Sequence, residues 1–495
     1  MKLYCEKRNK QNNCYSIIQS MLVIFLCIQP IFDVKLFYNS IGTMIRVVII
    51  SLMFLYCFYK NKDKNRIYIY VFALAIYIVF HHWNATSFAS MEIERFKYSF
   101  FKESMYFLKM ITPYMLIYVL HSLKLSNKTS FTIVKVIILI MGGTIILSNI
   151  FVISYGSYSD TKIQGSFFSW FNKENTDTFK NLASKGFFEF ANQISAVLLM
   201  FLPFSIYNTY KNLKISEILI LSINLFSLML LGTRVAVFGV VIVFMYTIII
   251  SLFEAKVLKK DSNKTIKLIL PISILIVYIG LLPINPVFDR INEMNNQVDL
   301  QAKVVKETIA DDLENQTEWI KESKEEQEIK YILNNYKEKQ IYEQFIFHSY
   351  PYQYDTEFWL QIFEEDISLR TNYRYLEKEM IKRVVKINNN YFDKLFGITN
   401  TRIQNIFNIE QDFVMQYYAL GIVGVFLIFL PYFLHVFYYA YINLRTKLSN
   451  CNTIDMVSFT TIIFTFCISY YSGNLLNSLS FSIYFSLLYG FLTGD

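Results

Sequence analysis

The sequence predicts an all-α polytopic membrane protein, and three observations support this class. First, 54% of the 495 residues are hydrophobic and 18% aromatic, with a mean hydropathy of +0.33, which is too apolar for a soluble protein of this length. Second, apolar runs of about 20 residues, the length that crosses a bilayer, recur about a dozen times. Third, Lys and Arg lie in short clusters between these runs. Such clusters indicate membrane orientation, so the net charge of +8 does not predict a nucleic-acid partner.

The apolar runs predict about twelve transmembrane helices. They lie near residues 15 to 37, 41 to 59, 66 to 83, 104 to 121, 131 to 154, 188 to 208, 216 to 232, 235 to 253, 267 to 284, 411 to 441, 455 to 472 and 475 to 492. No signal-peptidase cleavage site follows the first run, so we expect it to be retained. The Lys and Arg clusters of the short connections all fall on the same side of the predicted spans, which predicts that both termini are cytoplasmic and that the protein lies in the inner (cytoplasmic) membrane as a multi-pass protein.

This pattern divides the chain into three predicted regions. Residues 1–284 form an N-terminal bundle of helices 1 to 9, residues 285–410 form an extracytoplasmic loop domain, and residues 411–495 carry helices 10 to 12. The first half of the loop is rich in charge, with apolar residues at helical spacing, which predicts solvated helices. The second half is rich in aromatic residues, including Phe345, Tyr350 and Trp359. These could pack onto the bundle or stack on sugar rings, and packing is the favoured interpretation.

Ionisable side chains within the predicted spans are few and lie near their outer ends. Each one costs roughly 2.5 to 3.5 kcal/mol at the centre of a membrane helix, so each requires an explanation. The cations are Arg46, Lys109 and Arg234, and the acids are Asp33, Glu189, Glu410 and Asp412. A charged layer in one leaflet favours an enzyme acting on a lipid headgroup over a secondary transporter, which places polar groups near the midplane. For Lys109 and Asp33 taken alone, snorkelling to the interface is the simpler explanation.

The chemistry of this layer suits a diphosphate substrate. Guanidinium groups bind phosphate oxygens and stay charged when partly desolvated. A partly buried carboxylate could take the proton from an incoming sugar hydroxyl, and the candidates for this catalytic base are Glu410 and Asp412. Because they are two residues apart they point to different helix faces, so only one is expected to address the site. The pair also fits an E-x-D metal site, but no histidine accompanies it, and we expect neither a metal nor a cofactor.

No other catalytic template is present in the sequence. It contains no nucleophile elbow, Walker loop, zinc-protease motif or dinucleotide-binding motif. His81 and His82 adjoin at the outer end of the third predicted helix, a position typical of an interfacial anchor.

Three segments resemble the superfamily of O-antigen ligases and Wzy-type polysaccharide polymerases. They are GFFEFANQISAVLLMFLPF (186–204), LLGTRVAVFGVVIVF (230–244) and EQDFVMQYYALGIVGVFLIFLPYF (410–433). Gly397 of KLFGITN also resembles the L-F-G-x-G turn of that family. The resemblance implies a GT-C-like architecture of about twelve spans and inverting, metal-independent glycosyl transfer at the outer face, from an undecaprenyl-diphosphate-linked glycan to an acceptor hydroxyl.

The resemblance also implies roles for individual residues. Arg234 occupies the place of the arginine that binds the donor diphosphate. Glu410 stands where ligase members carry a histidine, which makes a ligase of the lipid A type less favoured. The remaining candidates for substrate binding are Arg46, Lys109, Glu189, Asn192 and Arg374.

The expected function is therefore polymerisation of lipid-linked repeat units into a capsular, O-antigen or teichuronic-like polysaccharide. Two alternatives stay open: a ligase that transfers finished polymer to a lipid or wall acceptor, and a flippase of the same lipid-linked oligosaccharide. Expected partners are the polyprenyl-diphosphate-linked donor and acceptor glycans, the lipid bilayer, a chain-length regulator and a flippase.

Overall fold

The computed structural model describes residues 2–61, 64–88, 97–171, 182–256, 264–291, 324–406, 409–446 and 452–492. These residues are predominantly helical. Among them, seven helices are long and apolar enough to cross a membrane. The segments are Tyr15–Phe32, Ser40–Lys60, Asn65–Thr86, Asn127–Ile150, Arg234–Glu254, Asp412–Arg445 and Thr453–Ser472. The predicted all-α polytopic class is confirmed, and the number of spans stays a prediction.

The chain forms two compact units. We call Met1–Asn65, Leu108–Arg290 and Leu430–Asp495 the bundle unit, and Arg66–Phe107 and Ile291–Phe429 the loop unit. This division is made by contacts within the fold, and the three regions predicted from the sequence stay a prediction.

The described part of the bundle unit is built from long helices and a small two-stranded sheet. Its helices are Lys2–Phe32, Ser40–Lys60, Asn127–Ile150, Ala191–Asn212, Ile215–Leu231, Arg234–Lys256, Lys264–Leu281, Thr453–Ser472 and Leu479–Phe491, with parts of Phe100–Leu123 and Asp412–Arg445. The strands Tyr155–Gly156 and Ser184–Gly186 pair antiparallel. The first helix ends at Phe32 instead of the predicted residue 37, and an isolated bridge pairs the following Val34 with Phe188.

A buried polar network ties three helices of the bundle unit together. Arg46 forms an ion pair with Asp33, and both side chains are at most 3% exposed. Asp33 also accepts hydrogen bonds from Ser480 and from Tyr484, and Arg46 donates to Gln29. A buried charge is tolerated when it is paired and fully hydrogen-bonded. Asp33 therefore does not snorkel to the interface, and that expectation is wrong.

The loop unit contains shorter helices and its own aromatic core. Its elements are Asn65–Thr86, the start of Phe100–Leu123, Lys324–Asn335, the π-helix Gln344–Ser349, Thr356–Glu364, Ile367–Arg370, Tyr373–Asn388, Phe392–Phe396, Asn400–Ile406 and the start of Asp412–Arg445. Phe345, Tyr350, Phe358 and Trp359 are buried, and the Trp359 indole donates to the Tyr350 carbonyl at 2.9 Å. These residues thus pack within the loop unit itself, and packing of the aromatic segment onto the bundle stays a prediction. The predicted solvated helices include Lys324–Asn335, and residues 292–323 lie outside the described residues.

The turn that contains Gly397 packs against a break in the helix Asp412–Arg445 at Gly421. Gly421 has φ 67° and ψ 177°, so the helical hydrogen-bond ladder is interrupted there. The backbone carbonyls before the break therefore accept hydrogen bonds from the KLFGITN turn instead. Ile398 N–H donates to Tyr418 O at 2.8 Å and Thr399 N–H donates to Ala419 O at 3.1 Å. In addition, the Tyr77 hydroxyl donates to Leu420 O at 2.7 Å. Broken helices in membrane proteins need such replacement partners.

Candidate functional site

The loop unit brings two glutamates and an arginine together at the start of Asp412–Arg445. Arg374 Nε donates to Glu410 Oε2 at 2.9 Å, and Arg374 Nη2 lies 2.9 Å from the same oxygen. Glu410 keeps 46% of its side chain exposed and Arg374 34%. The Glu410 carboxylate is thus oriented by a guanidinium while it remains accessible to a ligand. Glu410 and Arg374, which the sequence offers as separate candidates, are thus joined directly.

Glu377 completes this carboxylate cluster, which we define as Glu377, Glu410 and Arg374. Glu377 Oε2 accepts a hydrogen bond from the backbone N–H of Glu410 at 3.3 Å. Burial raises the pKa of Glu377 to about 8, and the charge of Glu410 adds to the rise while Arg374 opposes it. Near neutral pH the cluster therefore contains one carboxylic acid that can hold a proton beside an accessible carboxylate.

The sequence pattern around Glu377 contains a signal for its burial. In the helix Tyr373–Asn388, residues Met380, Ile381 and Val384 are buried. Glu377 lies three, four and seven residues before them, on the apolar stripe that faces the core. A carboxylate on such a stripe is unusual because burial of an unpaired charge is costly. The position of Glu377 thus predicts a carboxyl group with a raised pKa.

The second predicted base, Asp412, is fully buried. It begins the helix Asp412–Arg445, where a negative charge is favourable to the helix dipole. The difference in exposure from Glu410 agrees with the expectation that the two carboxylates face different surroundings. Among the described residues, no three His, Cys, Asp or Glu side chains are grouped so that they could hold a metal ion. Metal-independent chemistry stays a prediction.

The bundle unit places Arg234 at a helix start beside Tyr158, a half-buried tyrosine. The Ile215–Leu231 helix ends at Gly232 with φ 56°, and the next helix begins at Arg234. Thr233 Oγ1 accepts the Ala236 N–H at 3.1 Å and so caps that helix. The Tyr158 hydroxyl donates to Gly232 O at 2.9 Å.

Arg290 is a second arginine at this tyrosine, and the sequence reasoning missed it. Its guanidinium carbon lies 3.8 Å from the centroid of the Tyr158 ring. Burial raises the pKa of Tyr158, while the positive charges of Arg290 and Arg234 oppose the rise. Both guanidinium groups are therefore close enough to Tyr158 to act on it. Arg234 at a helix N-terminus and Arg290 on the Tyr158 ring together form a positive environment for an anion.

The remaining candidates, Arg46, Lys109, Glu189 and Asn192, lie in the bundle unit. Arg46 is engaged with Asp33 in the buried network. Lys109 and Glu189 are partly buried and Asn192 is exposed. Glu189 lies close enough to Lys35 for an electrostatic interaction.

Lys35 in turn shares Asp160 with Lys185. The ammonium groups lie 3.0 and 3.4 Å from Asp160 Oδ1, and the hydrogen bond from Lys35 is the main cause that lowers the pKa of Asp160. The structure thus places further positive charge near Glu189.

His81 does not act as an exposed interfacial anchor, and that expectation is wrong for this residue. Its side chain is fully buried, with Nε2 3.1 Å from Glu103 Oε1 and Nδ1 2.6 Å from Phe396 O. Glu103 also accepts hydrogen bonds from the N–H groups of Asn400 and Thr401. This cluster holds the glycine turn against the helices of the loop unit, which is a structural role.

An apolar groove of about 420 Å³ lies on the bundle unit. It is lined by Phe433, Val436, Ile463, Phe466, Cys467, Tyr470 and Tyr471. Such a lining suits a hydrocarbon chain.

Comparison with protein families now gives the class. The family model described as O-antigen ligase like membrane protein matches residues 15–495. The chain belongs to this family. It is a multi-pass membrane protein, and its family is one of glycan-processing enzymes. Membership of this family implies lipid-linked glycan substrates. A comparison with curated proteins finds no match.

Proposed function

We propose that this protein is a polymerase that joins undecaprenyl-diphosphate-linked repeat units into a surface polysaccharide at the outer face of the cytoplasmic membrane, with both termini cytoplasmic. In this reaction an acceptor sugar hydroxyl attacks the anomeric carbon of the donor, the carbon–oxygen bond to the diphosphate breaks, and the configuration inverts. The hydroxyl proton passes to a carboxylate. The diphosphate leaves with its lipid.

The carboxylate cluster is the observation that carries this proposal. Glu410 is exposed enough to reach a hydroxyl, and Arg374 holds it in one orientation. A general base must lie within hydrogen-bond reach of the proton that it removes, so a fixed and accessible carboxylate is required. Asp412 is buried, which makes Glu410 our assignment for the base. Glu377 holds a proton beside it and is assigned as a positioning residue.

The donor diphosphate is assigned to the arginines of the bundle unit. Arg234 and Arg290 both act on Tyr158, and Arg234 begins a 23-residue helix whose N-terminus is the positive end of its dipole. Planar guanidinium groups can stabilise the charge that develops on the leaving diphosphate. The apolar groove is assigned to part of the polyprenyl chain. No metal is required in this scheme.

A genetic experiment tests the proposal. In a strain that makes the lipid-linked repeat unit, loss of this protein should leave single repeats on the polyprenyl carrier, and the wild-type chain should restore a ladder of long chains. Glu410→Gln and Arg234→Ala should abolish the ladder while the protein still inserts. Glu364→Gln alters another exposed loop carboxylate, at a position that has no assigned role, and serves as the matched control.

Two other outcomes would identify the alternative functions. Long polymer that accumulates on the polyprenyl carrier after loss of the protein would indicate a ligase. Single repeats that stay in the inner leaflet would indicate a flippase. A full ladder in both Glu410→Gln and Arg234→Ala would remove these residues from the mechanism.

A further inference from the structure

Two tyrosines of the loop unit are stacked on each other and exposed. The ring centroids of Tyr342 and Tyr373 lie 5.5 Å apart with an angle of 25° between the ring planes. The residues are 52% and 51% exposed. The unit buries Tyr350, Phe358 and Trp359 in its core, so its fold does hide large aromatic side chains elsewhere. Two adjacent rings left at the surface therefore require an explanation.

The pair, which we call the tyrosine platform, is supported from below. Phe345 is 7% exposed and packs edge-on against both rings, at 6.0 Å from Tyr342 and 5.3 Å from Tyr373. Tyr373 is the first residue of a 16-residue helix, and the Asn372 side chain caps that helix by accepting the Tyr375 N–H. Both rings are thus held by ordered elements, and binding to them would require little ordering of side chains.

The surroundings of the tyrosine platform are polar. Glu343 and Gln344 follow Tyr342 and are exposed, and Asn372 and Arg374 flank Tyr373. Burial of such groups in the hydrocarbon region of a membrane would be costly because they would lose their hydration. The ligand that fits is one with apolar faces and hydrogen-bonding edges. A pyranose ring has this chemistry, since its C–H faces can lie on aromatic rings while its hydroxyls meet polar side chains.

The tyrosine platform also adjoins the carboxylate cluster. Tyr373 directly precedes Arg374, and Tyr373 and Glu377 are four residues apart in the same helix, which places them on neighbouring turns of one face. A sugar held on the Tyr373 ring would therefore be held by the first turns of the helix that also carries Arg374 and Glu377.

We propose that the tyrosine platform is a saccharide-binding subsite that holds a sugar ring of the glycan next to the carboxylate cluster. This inference rests on the proposed function for its substrate class, but binding to the subsite is measurable without catalysis. Removal of one ring should weaken binding about tenfold, which corresponds to about 1.4 kcal/mol.

The experiment uses the full chain, purified in detergent, and the free repeat oligosaccharide released from its lipid carrier by mild acid. Isothermal titration should show binding by the wild type, about tenfold weaker binding by Tyr342→Ala and by Tyr373→Ala, and nearly unchanged binding by Tyr342→Phe, which keeps the ring. Tyr331→Ala and Tyr354→Ala remove tyrosines that are 47% and 53% exposed elsewhere on the loop unit, and they should bind as the wild type does. Thermal unfolding of each variant checks that the fold is intact.

Two results would overturn the subsite. One is the absence of oligosaccharide binding by the wild type. The other is equal binding by the folded alanine variants. Oligosaccharide binding is measured apart from chain elongation. A wild type that binds the oligosaccharide but makes no ladder would therefore fail the polymerase assignment alone, and folded alanine variants that bind as the wild type does would fail the subsite alone.

Discussion

The Gly397 turn packs closely against the helix break at Gly421. Backbone geometry at these two glycines predicts how much stability their substitution should remove. Gly397 has φ 78° and ψ 170°, and Gly421 has φ 67° and ψ 177°. Both conformations fall in a region that is essentially restricted to glycine, and other residues there cost of order 1 to 3 kcal/mol. A Cβ at Gly397 would lie 2.2 Å from the Ala419 carbonyl oxygen, and one at Gly421 would lie 2.4 Å from the Leu395 carbonyl. Because these are backbone atoms, they cannot rotate away.

We expect Gly397→Ala and Gly421→Ala each to reduce the free energy of unfolding by on the order of 4 kcal/mol, the sum of backbone strain and overpacking. At roughly 2 to 4 °C per kcal/mol, the midpoint of thermal unfolding should fall by about 10 °C. The assay is intrinsic tryptophan fluorescence of the full chain in detergent, because Trp83 and Trp359 both lie in the loop unit.

Gly143 provides the matched control for this pair. It lies within the helix Asn127–Ile150, and a Cβ there would meet no atom within 4 Å. Alanine is favoured over glycine in a helix by roughly 0.5 to 1 kcal/mol, so Gly143→Ala should leave the midpoint unchanged or raise it. Midpoints for Gly397→Ala and Gly421→Ala that equal the Gly143→Ala value would refute the reasoning.

Two further predictions concern buried charges. The raised pKa of Glu377 stabilises the fold below the unfolded-state pKa near 4.5, and this contribution is lost as the pH rises toward about 8. Between about pH 5 and pH 8, the window of this linkage, the unfolding midpoint of the wild type should therefore fall more than the midpoint of Glu377→Gln. Parallel curves of midpoint against pH for the two proteins would contradict this. Asp33→Leu leaves Arg46 buried without its carboxylate and should cost about 3 to 5 kcal/mol, while Asp33→Leu with Arg46→Leu should regain most of that loss in thermal unfolding. If the double variant is less stable than Asp33→Leu, the ion pair does not act as described.

The sequence was sufficient for the class because hydrophobic run length and the spacing of Lys and Arg report directly on membrane insertion. It was also sufficient to select Glu410 and Arg374 as separate candidates. Their pairing could not be predicted, since 36 residues separate them and a long-range contact leaves no periodic signal in one sequence.

The errors have a common physical origin. Asp33 and His81 were each interpreted alone, as polar side chains that lie at the membrane interface. Each is instead satisfied by partners that are distant in the sequence: Asp33 by Arg46 and Tyr484, and His81 by Glu103. Polar side chains inside a helical bundle are stabilised by such networks, which a pass along the chain does not reveal. Glu377 was not selected, although it lies on the buried stripe of its helix.

The most direct test of the account is elongation by the purified protein itself. Proteoliposomes that contain the wild-type chain, supplied with radiolabelled polyprenyl-diphosphate-linked repeat units, should convert them into a ladder of longer chains and release the lipid diphosphate in equal number to the new linkages. The Glu410→Gln protein should give neither product. Movement of the labelled lipid between leaflets without any elongation by the wild type would contradict the account.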